Sequence, residues 1–133
     1  MSANLDLVRS LYVAFEEGDY SSTGWADPEI DFTIGDGPDQ GSWHGLDGLA
    51  KGMATFASAW QWLRTEAEEF RELADERVLV VVRYVGRGKS SGIRLREMEA
   101  RAASVYQVRS GKVFRLVLYF DRDRALVDLG LEA

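Results

Sequence analysis

Two strand-like stretches near the end of the chain are joined by only two residues, and this arrangement constrains the fold more than any other feature. In residues 95–109 and 112–120, β-branched and aromatic side chains alternate with polar ones, and Ser110 and Gly111 lie between the two stretches. A Ser-Gly pair in this position is typical of a tight β-hairpin turn. The sequence predicts four consecutive strands, at residues 64–73, 77–87, 95–109 and 112–120.

Amphipathic stretches predict helices before and after these strands. Apolar residues recur at three- and four-residue spacing after Asn4 and again from about residue 46 to residue 60, so each stretch has one apolar face. The faces are Leu5, Val8, Leu11, Tyr12 and Phe15 in the first helix, and Leu46, Leu49, Met53, Phe56, Ala57 and Trp60 in the second. We expect Asp121 to cap a short final helix that Gly130 ends.

The segment between the two long helices is predicted from its prolines and glycines. Residues 20–29 indicate a short turn or helix closed by Pro28, residues 30–34 a strand, and residues 35–45 a loop. Helices that precede consecutive hairpins indicate an α+β fold, with the helices packed on one face of an antiparallel sheet. A length of 133 residues fits one domain over residues 1–133.

Composition excludes several classes of function. The net charge of −6 disfavours nucleic acid as a partner, because phosphate contacts need clustered Lys and Arg. Without cysteine, and with one histidine, the chain lacks the usual metal-ligand sets, and we expect no metal and no cofactor. The longest aliphatic run, residues 78–82, is too short for a membrane span, so we expect a cytoplasmic protein. Residues 86–92, GRGKSSG, are interpreted as a hairpin connection and not as a phosphate loop.

Strand alternation predicts which side chains face the core. The inner set is Met98, Ala100, Ala102, Ser104, Tyr106 and Val108, with Val80, Val82 and Tyr84 and with Phe114, Leu116, Leu118 and Phe120. Glu97, Glu99 and Arg101 then point outward, toward solvent or a partner. In residues 30–34 either the apolar pair or the polar pair, which contains Asp31, faces the interior, and alternation alone leaves both arrangements open.

Aromatic side chains crowd the predicted inner face, and small residues between 98 and 104 leave room for a cavity. Ordinary core packing is the alternative interpretation of such a stripe. The residues expected to bind an apolar or aromatic molecule are Trp25, Phe32, Trp43, Phe56, Trp60, Tyr84, Tyr106 and Phe120. If the protein is an enzyme, cofactor-independent acid–base chemistry fits best, with Asp31 or His44 carrying the proton.

His44 is the only histidine, and it lies in the stretch GSWHGLDG at the start of the second predicted helix. The positive end of a helix dipole disfavours an imidazolium, so we expect this side chain to be mostly neutral at about pH 7. Two roles are open at this point: a structural role at the helix entrance, or a contact with a ligand in the pocket.

Several segments together resemble a known family. In this order, AFEEGD, ADPEIDF, GSWHGLDGL, RVLVVVRYVGRGKSSG, VRSGKVFRLVLYFDRDRAL and LGL are similar to the SnoaL-like branch of the nuclear transport factor 2-like superfamily. The resemblance implies a curved antiparallel sheet wrapped around a long helix to form a cone, with a pocket at the open end. It also implies a homodimer through the outer face of the sheet.

The superfamily includes ketosteroid isomerases, polyketide cyclases, epoxide hydrolases and non-enzymatic binding domains, so the fold does not fix an activity. The isomerase tyrosine, general base and oxyanion-hole aspartate match Leu11, about Thr33 and about Ser104, which argues against that mechanism. The Asp–Arg–Asp set of the hydrolases has no match, since Arg101 is predicted to point outward. For cyclase-type chemistry the nearest acidic residue is Asp31. The resemblance thus predicts a small-molecule pocket, with isomerase- or cyclase-type chemistry as one hypothesis and a non-catalytic ligand-binding or dimerisation module as the alternative.

Overall fold

Three helices and six strands make up the part of the chain that the computed structural model describes, residues 3–17, 19, 24–36, 40–58, 60–88 and 97–131. In chain order they are α1 (Ala3–Glu16), β1 (Ala26–Ile34), β2 (Gly41–His44), α2 (Gly45–Ser58), β3 (Trp60–Leu73), β4 (Arg77–Gly88), β5 (Glu97–Arg109), β6 (Lys112–Tyr119) and α3 (Arg122–Asp128). The predicted α+β class is confirmed.

All six strands belong to one sheet, in the order β2-β1-β6-β5-β4-β3. The four consecutive strands β3 to β6 pair antiparallel, as the sequence predicts. The prediction of a fully antiparallel sheet is wrong, because β1 pairs with β6 in parallel, with Phe32 beside Leu116. Pairing between strands this distant in sequence depends on how the chain crosses over through α2, and the local hydrophobic pattern does not report it.

The two ends of the last strand have the predicted geometry. Ser110 and Gly111 both have positive φ, 53° and 77°, as a two-residue hairpin turn of the primed type requires. After the strand, the Asp121 carboxylate accepts a hydrogen bond from the Asp123 backbone N–H and so caps α3. Gly130, with φ of 71°, follows the end of this helix.

Residues 24 to 44 contain more strand than the sequence predicts. Pro28 lies inside β1, and not at the end of a turn or helix. It is tolerated there because the register between β1 and β6 is interrupted between Ala26 and Asp31, where a missing N–H breaks no regular ladder. The glycine-rich segment predicted as a loop includes β2, which pairs antiparallel with β1. Residues 20–23 and 37–39 lie outside the described residues.

The helix α2 ends at Ser58, and Trp60 opens β3, so the prediction of a helix to residue 60 is wrong at its end. Of its predicted apolar face, Leu46 and Ala57 are exposed, whereas Gly52 is buried. The face of α1 is confirmed, since Val8, Leu11, Tyr12 and Phe15 are all buried.

The main core lies between α1, α2 and one face of the sheet. The strand faces predicted to point inward supply most of it, with Val80, Val82, Tyr84, Ala102, Tyr106, Val108, Leu116 and Leu118 all in this cluster. The side chains of residues 97–100 lie outside the described part. On β1 the apolar pair faces inward, because Ile30 and Phe32 are fully buried.

The opposite face of the sheet carries a smaller core. Leu79, Ala103 and Val105 are buried there under Ala125 and Leu126 of α3. The last helix therefore packs on the face opposite to that of α1 and α2. Its short apolar side was too brief to be assigned to either face from the sequence.

Phe114 lies outside the main core, contrary to the prediction that it shares a face with Leu116 and Leu118. The register between β5 and β6 shifts after Gln107, and this bulge turns Val113 inward, where it is fully buried. The Phe114 ring instead lies under the Arg109 guanidinium, 4.5 Å from the ring centre. A β-bulge reverses the alternation of inward and outward side chains, and the sequence pattern does not indicate where a bulge lies.

Candidate functional site

A small cavity lies in the main core between the helices and the sheet. Its free volume is about 20 Å³, close to the space that one water molecule needs. Aromatic rings and aliphatic side chains form its walls, with a few hydroxyl groups among them. The lining residues are Tyr12, Phe15, Met53, Phe56, Thr65, Tyr84, Ser104, Tyr106, Leu116 and Leu118.

Two buried tyrosines join across this cavity. The Tyr106 hydroxyl donates a hydrogen bond to the Tyr12 hydroxyl over 2.9 Å, linking α1 to β5. The Tyr12 ring also makes edge contacts with Phe15, Phe70 and Tyr106, at centroid distances of 5.3, 5.8 and 6.0 Å. Ser104 and Thr65 add two more hydroxyls, both almost fully buried. The polar side chains of this cavity are therefore neutral hydroxyls.

Four of the predicted ligand-binding residues form one aromatic cluster. Phe56 is the centre, with its ring 5.4 Å from Tyr84, 5.5 Å from Phe120 and 6.4 Å from Trp60. Phe56 and Tyr84 line the cavity, and Trp60 and Phe120 pack behind them. With Tyr106, which also lines the cavity, five of the eight predicted residues are brought together around this space.

The other three lie elsewhere. Phe32 stacks on Trp43 at 5.7 Å between the β1–β2 pair and α2, where the two rings fill the core. Trp25 borders a separate surface cleft of about 230 Å³ beside α1, with Ser10 and Asp19 on its rim. The predicted pocket set thus divides into a group around the cavity, a packing pair, and Trp25, which is buried in the main core beside a separate cleft.

The two predicted proton carriers, Asp31 and His44, are neighbours on the outer face of the sheet. They are directly opposite each other in the β1–β2 ladder. His44 Nδ1 lies 2.8 Å from an Asp31 carboxylate oxygen, and Nε2 lies 2.8 Å from a Glu29 carboxylate oxygen. All three side chains are more than half exposed. The structure therefore brings the pair together away from the cavity.

Two nearby carboxylates oppose the prediction that His44 is mostly neutral. Hydrogen bonds that the carboxylates accept from the ring, first at Asp31 and then at Glu29, raise the pKa of His44 above its ordinary value. The helix dipole alone would lower the pKa of His44. The carboxylates of Asp31, its neighbour across the strand pair, and of Glu29 outweigh that effect. Because β2 was predicted as a loop, this pairing was not foreseen.

Sequence reasoning missed several residues of the cavity wall. Tyr12 was assigned to the buried face of α1, but the isomerase tyrosine was matched to its neighbour Leu11. Ser104, predicted to lie on the inner face of its strand but not named as a ligand-binding residue, does line the cavity. Thr33, matched to the general base, points outward, where its hydroxyl lies 3.1 Å from that of Ser42. The signal for Tyr12 was present in the helical periodicity.

Two further observations concern the classes of function that the composition excludes. Within the described ranges, no group of three or more His, Asp or Glu side chains is arranged to hold a metal ion. None of the helices in the described part of the chain is long and apolar enough to cross a membrane.

The family model of SnoaL-like domains matches residues 8–116. No curated protein sequence matches the chain. Among solved structures, the chain is similar to TerC co-crystallised with polyporic acid, with 20% identity, a TM-score of 0.69, and coverage of 96% of this chain and 98% of that one. An NTF2-like protein from Burkholderia thailandensis E264 is 21% identical, with a TM-score of 0.75 and full coverage of both chains.

A candidate SnoaL-like polyketide cyclase from Jannaschia sp. CCS1 is 12% identical, with a TM-score of 0.73 and coverage of 98% of this chain and 94% of that one. At such low identities the likeness concerns the fold. It agrees with the cone of curved sheet and helices that the sequence predicts.

Proposed function

Because the chain belongs to the SnoaL-like domain family, we propose that its interior cavity binds one small apolar or aromatic molecule. The observation that carries this proposal is the Tyr12–Tyr106 hydroxyl pair, buried in an otherwise apolar wall. A core that needed only packing would be served by phenylalanine at both positions, without two hydroxyls to satisfy. A phenol hydroxyl can donate one hydrogen bond to a ligand and can accept others from it.

The wall around this pair can accommodate a ligand larger than the water-sized space. Met53 is partly buried at the edge of the core, and its unbranched thioether side chain adapts to new neighbours at little cost. Ser104 lines the cavity with a small side chain, which leaves room for a ligand. We infer that a bound molecule displaces Met53 and rests its ring against Phe56 and Tyr84. TerC was co-crystallised with polyporic acid, which supports a small organic ligand for this fold.

The character of the wall favours a neutral ligand. Among the residues that the structure describes, those that line the cavity include no acid, no base and no histidine. A charged ligand would lose its hydration without gaining an opposite charge, a cost of several kcal/mol or more. A phenol, alcohol or ketone needs only the hydroxyl pair.

The polar groups of the cavity wall also distinguish catalysis from non-catalytic binding. Isomerase- or cyclase-type chemistry needs a base that accepts a proton from the ligand, and Asp31 and His44 lie on the outer face. Among the described residues that line the cavity, the polar groups are phenols and aliphatic hydroxyls, which act as weak acids and hydrogen-bond donors. Non-catalytic binding of a ligand is therefore the candidate function that this wall favours over catalysis.

The proposal predicts that the two tyrosines distinguish a phenol from a hydrocarbon of the same shape. Calorimetric titration of the protein with p-cresol and with toluene should give the tighter dissociation constant for p-cresol. In Tyr12→Phe and in Tyr106→Phe, p-cresol binding should weaken about fivefold to tenfold, the value of one buried hydrogen bond, while toluene binding stays the same.

Tyr119→Phe is the matched control, since its hydroxyl bonds Asp128 away from the cavity. A variant that fills the space, Ser104→Leu, should abolish binding of both probes. Equal affinities for p-cresol in the wild type and both tyrosine variants would refute the role of the pair, and failure of both probes to bind the wild type would refute the cavity as a site.

A further inference from the structure

A row of polar side chains crosses the outer face of the sheet at the end near the β3–β4 turn. In the β4–β5 ladder Arg77 is opposite Gln107, and in the β5–β6 ladder Gln107 is opposite Arg115. The three side chains therefore point to the same side in adjacent strands. Two interstrand spacings separate the arginines, so their Cα atoms lie about 10 Å apart.

A groove of about 340 Å³ lies along this row, beside α3. Its floor is apolar, because the next rows of the sheet place Val105, Val117 and Tyr119 there, and Leu129 follows α3 along one side. The volume is at the lower end of the range of small-molecule pockets and far exceeds that of the interior cavity. Cationic groups along one edge and an apolar floor make this an amphipathic site.

The two guanidinium groups are available to a ligand. Arg77 donates a hydrogen bond from its Nε–H to the Ala74 carbonyl oxygen over 3.0 Å. This bond orients the guanidinium group and leaves its terminal N–H groups for a ligand. The Arg115 guanidinium forms no ion pair or hydrogen bond with any residue that the structure describes. Its neighbour across the parallel ladder is Asp31, whose carboxylate is engaged by His44.

The remaining polar groups of the groove leave a positive balance. Among the described residues that line the groove, Asp75 is the one acid, against Arg77 and Arg115, so these residues carry a formal charge of +1. The chain as a whole carries −6. The Asp75 carbonyl accepts a hydrogen bond from the Gln107 amide over 3.1 Å and fixes that side chain between the arginines. A local positive site on an acidic protein selects anions.

We propose that this groove is a second binding site, which takes a small carboxylate with an aliphatic or aromatic body. The carboxylate lies between the two guanidinium groups, whose N–H donors form charge-assisted hydrogen bonds with it. The apolar body covers Val105 and Val117 on the floor. This site is independent of the interior cavity, which accepts a neutral molecule.

The test uses 4-phenylbutyrate and its neutral amide, 4-phenylbutanamide, as matched probes, followed by amide NMR spectra. The carboxylate should shift the backbone signals of Val105, Val117 and Leu129 in a saturable way, and the amide should not. Arg115→Gln and Arg77→Gln should each weaken the dissociation constant about tenfold, whereas Arg101→Gln, on the same face but outside the groove, should not change it. Added salt should weaken binding, because the groups are exposed.

Several results would overturn the proposal. They are equal binding of the acid and the amide, wild-type affinity in both groove variants, shifts confined to the Tyr12 and Ser104 signals of the interior cavity, and the absence of any saturable shift. Weaker binding at higher protein concentration would mean that a second copy of the chain covers the groove, and it would overturn the proposal as well.

Discussion

At the scale of the residue, the outer face of β1 and β2 holds the only histidine of the chain between two carboxylates. Each ring nitrogen of His44 has its own acidic partner, Asp31 at Nδ1 and Glu29 at Nε2, both at 2.8 Å. Both bonds form fully only when the ring is protonated, because a neutral imidazole has a single N–H. Protonation therefore joins the two strands through a side-chain bridge.

This bridge predicts a pH-dependent effect of His44→Gln on stability. The folded-state pKa is raised above the ordinary value of about 6.5, so the stabilisation is complete below that pH and is lost as the pH rises through the folded-state pKa. The variant should lower the melting temperature more at about pH 5.5 than at about pH 8.5. Thermal unfolding at both pH values measures this difference.

A second readout identifies the cause. The ring signals of a lone histidine are unambiguous in an NMR titration, and the pKa should fall in Asp31→Asn and in Glu29→Gln. Glu66→Gln on β3 serves as the control, because that carboxylate pairs with Arg64 and Arg83. A wild-type pKa at or below the ordinary value would contradict the bridge.

At the scale of the element, α2 contacts the sheet through a glycine. A Cβ at Gly52 would lie 2.5 Å from the ring of Phe32 and 2.9 Å from that of Trp43. These two rings stack on each other, and Phe32 is completely buried, so its ring has no room to move. The close approach of α2 to β1 thus depends on the missing side chain.

Gly52→Ala should therefore destabilise the protein, although alanine is the better helix former. The gain in helix propensity is about 1 kcal/mol. Forcing a methyl group into a packed contact costs about 1–3 kcal/mol, and at 2.5 Å we expect the upper part of that range and a net loss. Urea unfolding gives the difference. Gly24→Ala is the control, since a Cβ there would have no heavy atom of the described residues within 4 Å apart from its chain neighbours. A Gly52→Ala variant more stable than the wild type would contradict the packing argument.

The elements themselves were predictable where one local pattern dominates. Alternation over residues 77–87 and the Ser110-Gly111 turn reveal the hairpins, and three- and four-residue spacing reveals α1. The strand β2 was missed because its four residues lie among glycines, and only its pairing with β1 makes it a strand. The inward turn of Val113 was missed because a bulge depends on two strands together.

At the scale of the whole molecule, the homodimer stays a prediction. The outer face has two ends: the groove with Arg77 and Arg115, and the end that carries Arg101, which pairs with Glu68 over 3.2 Å. We expect the second end to form the interface, so that the groove stays open. Sedimentation should show a dimer for the wild type and a shift toward monomer for Arg101→Glu, because the reversed charge repels Glu68 and its neighbours.

Arg124→Glu on α3 should leave the sedimentation unchanged, since this residue pairs within its own helix with Asp128. A wild type that sediments as a monomer, or a dimer insensitive to Arg101→Glu, would place the predicted interface elsewhere or remove it.

The site was predictable only in part, because its residues come from several elements that are brought together only in the folded molecule. The sequence indicated that Phe56, Tyr84 and Tyr106 face one interior, because each lies on a periodic element. It left open which face of β1 is buried, and the structure places Asp31 outside. The outer groove combines β4, β5 and β6 with α3, so its residues are adjacent only after the strands have aligned. Patterns within one segment do not contain that information.

The parallel contact between β1 and β6 has a consequence for how the protein is made. The strand β6 is the last of the six described strands, yet it lies in the middle of the sheet and joins the β1–β2 pair to the others. On the ribosome, the β1–β2 pair can therefore join the sheet only after β6 has been synthesised. This contact closes a loop of some eighty residues, and such non-local pairing slows folding.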